Sequence, residues 1–213
     1  MMTDEGLKAL ATLPKLRHLR LSGPFTDKGL ACLSALPSLK ALRLETPRAT
    51  EEGLWQLAQC KTLERLCVPW YDTITDRGVG YLQSMPKLKA LGVGDARSPD
   101  AGVAVLMSLS ELEVLALKGS SGLMDSALQP LAVLPKLRAL EIYNSRITEQ
   151  GLANLYACQK LDSVQIRSSV PISQQAIARV QTQLPSLRTI DVSLAEPPVR
   201  ARPAQRATAA WIR

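Results

Sequence analysis

Apolar residues recur in one fixed order along this chain. A short segment is apolar at its first, fourth and sixth positions; a loop follows, then Thr or Ser, an acid, a tiny residue and a pair of apolar residues three apart. The segments start at Leu16, Leu39, Leu63, Leu88, Leu112, Leu137, Leu161 and Leu187, so successive starts lie 23, 24, 25, 24, 25, 24 and 26 residues apart. So even a period predicts one supersecondary unit stacked eight times. The alternating apolar positions predict a strand of a parallel sheet with one face inward, and the apolar pairs Leu7/Leu10, Leu30/Leu33, Leu54/Leu57 and Leu152/Leu155 predict a short helix with one buried stripe.

The polar positions fit that unit. Thr3, Thr26, Thr50, Thr75, Thr148 and Ser173 stand just ahead of the helices, where a hydroxyl accepts from an orphan helix N–H. The acid that follows, as in Asp4, Asp27, Asp125 and Glu149, is placed to complement the positive end of the helix. The tiny residue, as in Gly6, Gly29, Gly53, Gly151 and Ala176, predicts a close approach between neighbouring coils, since glycine inside a helix costs about 1 kcal/mol against alanine. Pro14, Pro37, Pro86, Pro135 and Pro185 end the helices and turn the chain into the next strand.

Ile74-Thr75-Asp76-Arg77-Gly78-Val79 and Ile147-Thr148-Glu149-Gln150-Gly151-Leu152 resemble the I-T-D-x-G-L signature of the cysteine-containing leucine-rich repeats, best known from F-box proteins and widespread in bacterial proteins; the match covers about nine tenths of the chain. The resemblance implies an α/β fold, a right-handed leucine-rich repeat solenoid or horseshoe, with a parallel sheet on the concave face and short helices on the convex face. It also implies capture of a protein partner on the concave sheet. The loop position that is usually Cys or Asn in such repeats is Pro24, Pro47, Tyr71, Ala96, Ser120, Ser145, Ser169 and Ala195, so the usual side-chain ladder under the loops is expected to be missing. No F-box-like region is expected among these residues.

The repeats predict one domain over residues 1–194 and a basic Pro/Ala/Arg-rich tail over 195–213, read as disordered. No apolar run reaches the roughly 18 residues of a membrane span, and no basic and apolar leader opens the chain. The expected place is the cytoplasm, or outside the cell as an effector released without a standard signal. The four cysteines, Cys32, Cys60, Cys67 and Cys158, suit a reducing compartment; Cys60 and Cys158 replace core Leu or Met. The chain starts inside a repeat, which suggests self-association through uncapped ends.

Outward strand positions supply the candidate site. Their middle column runs Arg20, Arg43, Cys67, Gly92, Ala116, Glu141, Gln165, Asp191, from basic through small to acidic. This reads either as a polarised groove for a protein segment of complementary charge or as a row of solvated strand residues. His18, Arg65 and Tyr143 flank the column, and Trp70 and Tyr71 stand at the rim after the third strand, as binding anchors or as plugs for the loops. Trp55 reads as helix packing.

Chemistry finds little support. His18 is the single histidine, which leaves no multi-histidine metal site. Cys67 beside Arg65 is the one candidate nucleophile, and Lys118-Gly119-Ser120-Ser121-Gly122 lacks the spacing of a phosphate loop. A net charge of +7 raises nucleic acid, but no stacking aromatics line the basic end. The expectation is a non-catalytic protein-binding module with no cofactor and no membrane segment. A substrate-recognition subunit of a ubiquitin-ligase-type complex, or a bacterial effector, stands as the alternative, with a cysteine enzyme behind it.

Overall fold

The computed structural model describes residues 3–45, 48–69, 76–94, 106–118 and 122–195. Trp70, Tyr71 and the tail beyond Ala195 lie outside these. Eight strands form one sheet in sequence order, β1 to β8: His18–Ser22, Ala41–Glu45, Arg65–Pro69, Ala90–Gly94, Val114–Lys118, Ala139–Ser145, Ser163–Ser168 and Thr189–Leu194. Every neighbouring pair is parallel. The chain is a leucine-rich repeat solenoid, with each strand from β1 to β7 followed by a helical return.

The inward strand residues and the helix stripe meet in one core. Leu21, Leu44, Leu66, Leu91, Leu115, Leu140, Val164 and their helical partners Leu30, Leu54, Leu128 and Leu152 are all at most 4% exposed. Cys60 and Cys158 are buried in the same cluster, and burial pushes their thiols up to about 12 and about 11. Trp55, by contrast, is 41% exposed, so it does not pack into the core as its helical position suggests.

The helical returns are shorter and tighter than the apolar spacing predicts. Asp27–Ala31 and Glu149–Ala153 are single α-helical turns that continue as 3-10 helix through Cys32–Ala35 and Asn154–Ala157. Asp125–Val133 is 3-10 throughout, with Pro130 inside it. A proline has no N–H for an α-helical bond, and the i to i+3 pattern winds the same apolar stripe with a longer rise.

The acid that opens several of the helices does more than face its own dipole. Asp4 accepts from the backbone N–H of Thr26 at 3.0 Å and from its hydroxyl at 2.5 Å. Asp27 does the same to Thr50, at 2.8 and 2.9 Å, and Asp125 to Thr148, at 2.8 and 2.6 Å. Each carboxylate thus clasps the Thr of the following repeat. The hydroxyls of Thr50 and Thr148 in turn accept from Glu52 and Gln150 N–H at 3.2 Å, while those of Thr3 and Thr26 make no such cap. Glu149, one methylene longer, reaches Ser173 N–H at 2.7 Å.

The expected absence of a ladder under the loops does not hold in the last repeats. Ser145 and Ser168 are fully buried. Ser168 donates to the Ile147 carbonyl at 2.7 Å and accepts from Val170 N–H at 3.1 Å, and Ser169 donates to the Ser145 carbonyl at 3.0 Å. Asn144 just before them adopts a left-handed φ of 59°, which asparagine tolerates better than most residues, and the register between β6 and β7 shifts there.

Candidate functional site

The sheet register sets the outward residues in columns. Arg20 pairs with Arg43, Arg43 with Cys67, Cys67 with Gly92, Gly92 with Ala116, Ala116 with Glu141, Glu141 with Gln165 and Gln165 with Asp191. With strands about 4.8 Å apart, this column is on the order of 35 Å long.

Its basic end is partly neutralised. Glu45 at the end of β2 takes Arg20 at 2.6 Å and Arg43 at 3.2 Å, so two guanidiniums share one carboxylate. The Arg20 side chain remains 67% exposed and that of Arg43 only 22%. Arg65 is half-buried beside this pair, and among the described residues it has no ion-pair partner. His18 is exposed at the start of β1.

The middle of the face is smooth and closed to solvent. Ala90, Gly92 and Gly94 are buried, Ala116 is 0% exposed, and Cys67 is half-buried and forms no disulfide among the described residues. Glu141, expected to stand in solvent at the acidic end, is only 6% exposed. Tyr143 on the same strand lies within hydrogen-bonding reach of Glu141.

The far end is a continuous polar ladder rather than a simple acidic patch. The Tyr143 hydroxyl donates to Gln165 Oε1 at 2.6 Å, and Gln165 Nε2 donates to Asp191 Oδ2 at 3.2 Å. Arg167 grips Asp191 through two nitrogens at 2.7 and 2.8 Å and also reaches Ser193 Oγ. Burial, followed by the charge of Glu141, pushes the Tyr143 phenol up to about 12. The Arg167 guanidinium holds the Asp191 carboxyl below its usual value.

Of the sequence-predicted residues, His18, Arg20, Arg43, Arg65, Cys67, Glu141, Tyr143 and Asp191 therefore share one sheet face, at its two ends and middle. Sequence reasoning passed over Glu45 and Arg167, which decide how much charge each end presents. Both lie one outward position beyond the middle column, so the alternation marks them as surface but not as partners. Among the described residues no three His, Cys, Asp or Glu side chains converge as metal ligands, and no helix is long and apolar enough to cross a membrane.

No protein-family model matches the chain, and no curated protein matches it. Among solved structures, internalin C2 from Listeria monocytogenes is similar over 92% of this chain and 76% of its own, at 19% identity and a TM-score of 0.58. A second internalin of that organism aligns over 90% of this chain and 64% of its own, at 15% identity and a TM-score of 0.46. The first likeness shows the leucine-rich repeat fold.

Proposed function

We propose that this chain is a non-catalytic module that holds a protein partner on its concave sheet. The observation that carries the reading is the register itself. It sets guanidiniums at one end and the Tyr143–Gln165–Asp191 ladder at the other, with the small residues Gly92, Gly94 and Ala116 between them. A face on the order of 35 Å long is enough for a standard protein interface, and fixed polar ends over a smooth centre favour one orientation of the bound segment. The Thr–Asp clasp, with glycine three residues after each Thr, supports placing these repeats with the I-T-D-x-G-L type.

The test is an affinity pull-down read by mass spectrometry, comparing the wild type with an Arg20→Glu/Arg43→Glu/Arg65→Glu variant whose melting curve matches it. A protein retained by the first and lost from the second supports the groove. Identical protein lists remove it.

A further inference from the structure

The edge of the solenoid where the strands begin holds most of the protein's surplus positive charge. The residue just ahead of each strand forms a column from Arg17 to Arg188 that reads Arg, Lys, Glu, Lys, Glu, Arg, Asp, Arg. From Lys40 onward each backbone N–H in it donates to the preceding carbonyl at 2.7 to 2.8 Å, so the eight residues are held at fixed spacing. A second row in the adjoining turns contains Lys15, Lys61, Lys87, Lys136 and Lys160 against Glu111. Together the rows hold ten cations and four acids, a surplus of six in a chain whose net charge is +7.

The two signs are placed differently. All ten cations are exposed, while Glu64, Glu111, Glu113 and Asp162 are half-buried. Glu64 is bound by Lys40 at 2.7 Å and Lys89 at 3.4 Å, Glu111 by Lys136 at 2.7 Å, and Asp162 by Arg138 at 2.7 Å. The acids thus space the cations, and the cations stand outermost. Near β8 the edge opens into a shallow hollow of about 470 Å³ lined by Arg138, Lys160, Asp162 and Arg188. Arg138 is engaged there by Asp162 through two bonds, at 3.0 and 2.7 Å, which leaves Lys160 and Arg188 facing the opening without an ion-pair partner among the described residues.

We infer that this edge is a second docking surface, separate from the concave face, and that it takes an acidic stretch of a partner protein, one carboxylate of which enters the hollow between Lys160 and Arg188. An extended acidic segment carries its carboxylates at intervals and can skip the interleaved Glu and Asp positions. Duplex nucleic acid, with a charge every ~1.7 Å, carries more charges than the spaced cations can pair, and the plane of an anionic bilayer does not reach into the hollow.

The experiment is a titration of the full chain with three probes: a labelled peptide of alternating Glu and Ser, a mixed-sequence DNA duplex, and phosphatidylserine vesicles. It is repeated on Lys160→Glu/Arg188→Glu and on the concave Arg20→Glu/Arg43→Glu/Arg65→Glu variant, each checked by melting. The peptide is expected to bind, to weaken with added salt, and to lose about tenfold in affinity in the edge variant, a larger loss than in the concave variant. Absence of peptide binding, binding indifferent to the edge variant, or preference for the duplex or the vesicles overturns the inference. Because the concave variant serves as the comparison, failure here is distinguishable from failure of the concave groove.

Discussion

The carboxylate of Asp125 occupies the space that a side chain on Gly151 would need: a methyl built there comes within 2.6 Å of the Asp125 Cγ. The same relation links Asp4 to Gly29, at 2.7 Å from the Cγ, and Asp27 to Gly53, at 2.5 Å from Oδ1. The recurrent glycine therefore makes room for the acid of the preceding repeat, which must pass it to reach the Thr three residues earlier. Glycine and acid, about a repeat apart in sequence, form one inter-repeat joint.

This relation predicts opposite outcomes for two glycines of similar helical setting. Gly151→Ala is expected to destabilise the fold by about 1–3 kcal/mol, the usual cost of overpacking. Gly80→Ala, where nothing stands within 4 Å of the added methyl, is expected to stabilise it by about 0.5–1 kcal/mol through helix propensity alone. Urea unfolding of both variants checks the pair; equal shifts of the same sign would reject the joint.

A double-mutant cycle tests the joint directly. Asp125→Ala removes both bonds to Thr148 and is expected to cost about 1–3 kcal/mol, the range for leaving a backbone donor unsatisfied. In that background Gly151→Ala meets only the Cβ of residue 125, at 3.1 Å, so most of its cost is expected to disappear. The coupling energy is then at least about 1 kcal/mol in magnitude; additive effects would mean that Gly151 is needed for another reason.

How far these features could be read in advance follows from how local they are. The strands and core were legible because every third-plus-second Leu must face inward on a pleated sheet, and Leu42, Leu66 and Leu91 do. The glycine position was legible as a close approach, but its partner was not, because Asp4 and Gly29 touch only once two coils are stacked. The burial of Glu141 was hidden for a similar reason: alternation assigns it outward, and its low exposure arises only in the assembled fold. The serine network of Ser145 and Ser168 was read as an absence because the expected position is Cys or Asn, whereas a hydroxyl one residue away, Ser168, does the bonding.

That network gives a third prediction. Ser168→Ala keeps the size of the buried site but leaves the Ile147 carbonyl and the Val170 N–H without their side-chain partner. The expected loss is about 1–3 kcal/mol, seen as a lower urea midpoint with an unchanged slope. Ser169→Ala, at an exposed position, is expected to fall within about 0.5 kcal/mol of the wild type.

Tyr143 sets a pH dependence at the alkaline end. Its folded value of about 12 lies above its ordinary 10, so the folded state favours the neutral phenol. The resulting stability is complete below pH 10 and is lost as the pH rises towards 12. An ultraviolet titration of phenolate should show one of the four tyrosines ionising late, and Tyr143→Phe should remove that late component; if the late component survives in Tyr143→Phe, the assignment fails.

Asp191 acts in the opposite direction at the acid end. Hydrogen bonds from Arg167, then its charge and a bond from Gln165, hold the carboxyl below its ordinary 3.8 against a smaller opposing effect of burial. A depressed folded value means that the carboxylate stabilises the fold fully above 3.8 and that this contribution is lost as the pH falls through the folded value. The side chain is 50% exposed, so solvent screening keeps the contribution small, and the residue's own titration is the sharper readout. In Arg167→Gln the Asp191 carboxyl resonance is expected to titrate higher than in the wild type, and acid unfolding to lose part of its pH dependence. The same variant frees Asp191 to face a basic residue of a bound segment, so a partner held by that end of the groove should bind Arg167→Gln at least as tightly as the wild type; weaker binding would instead make Arg167 itself the contact.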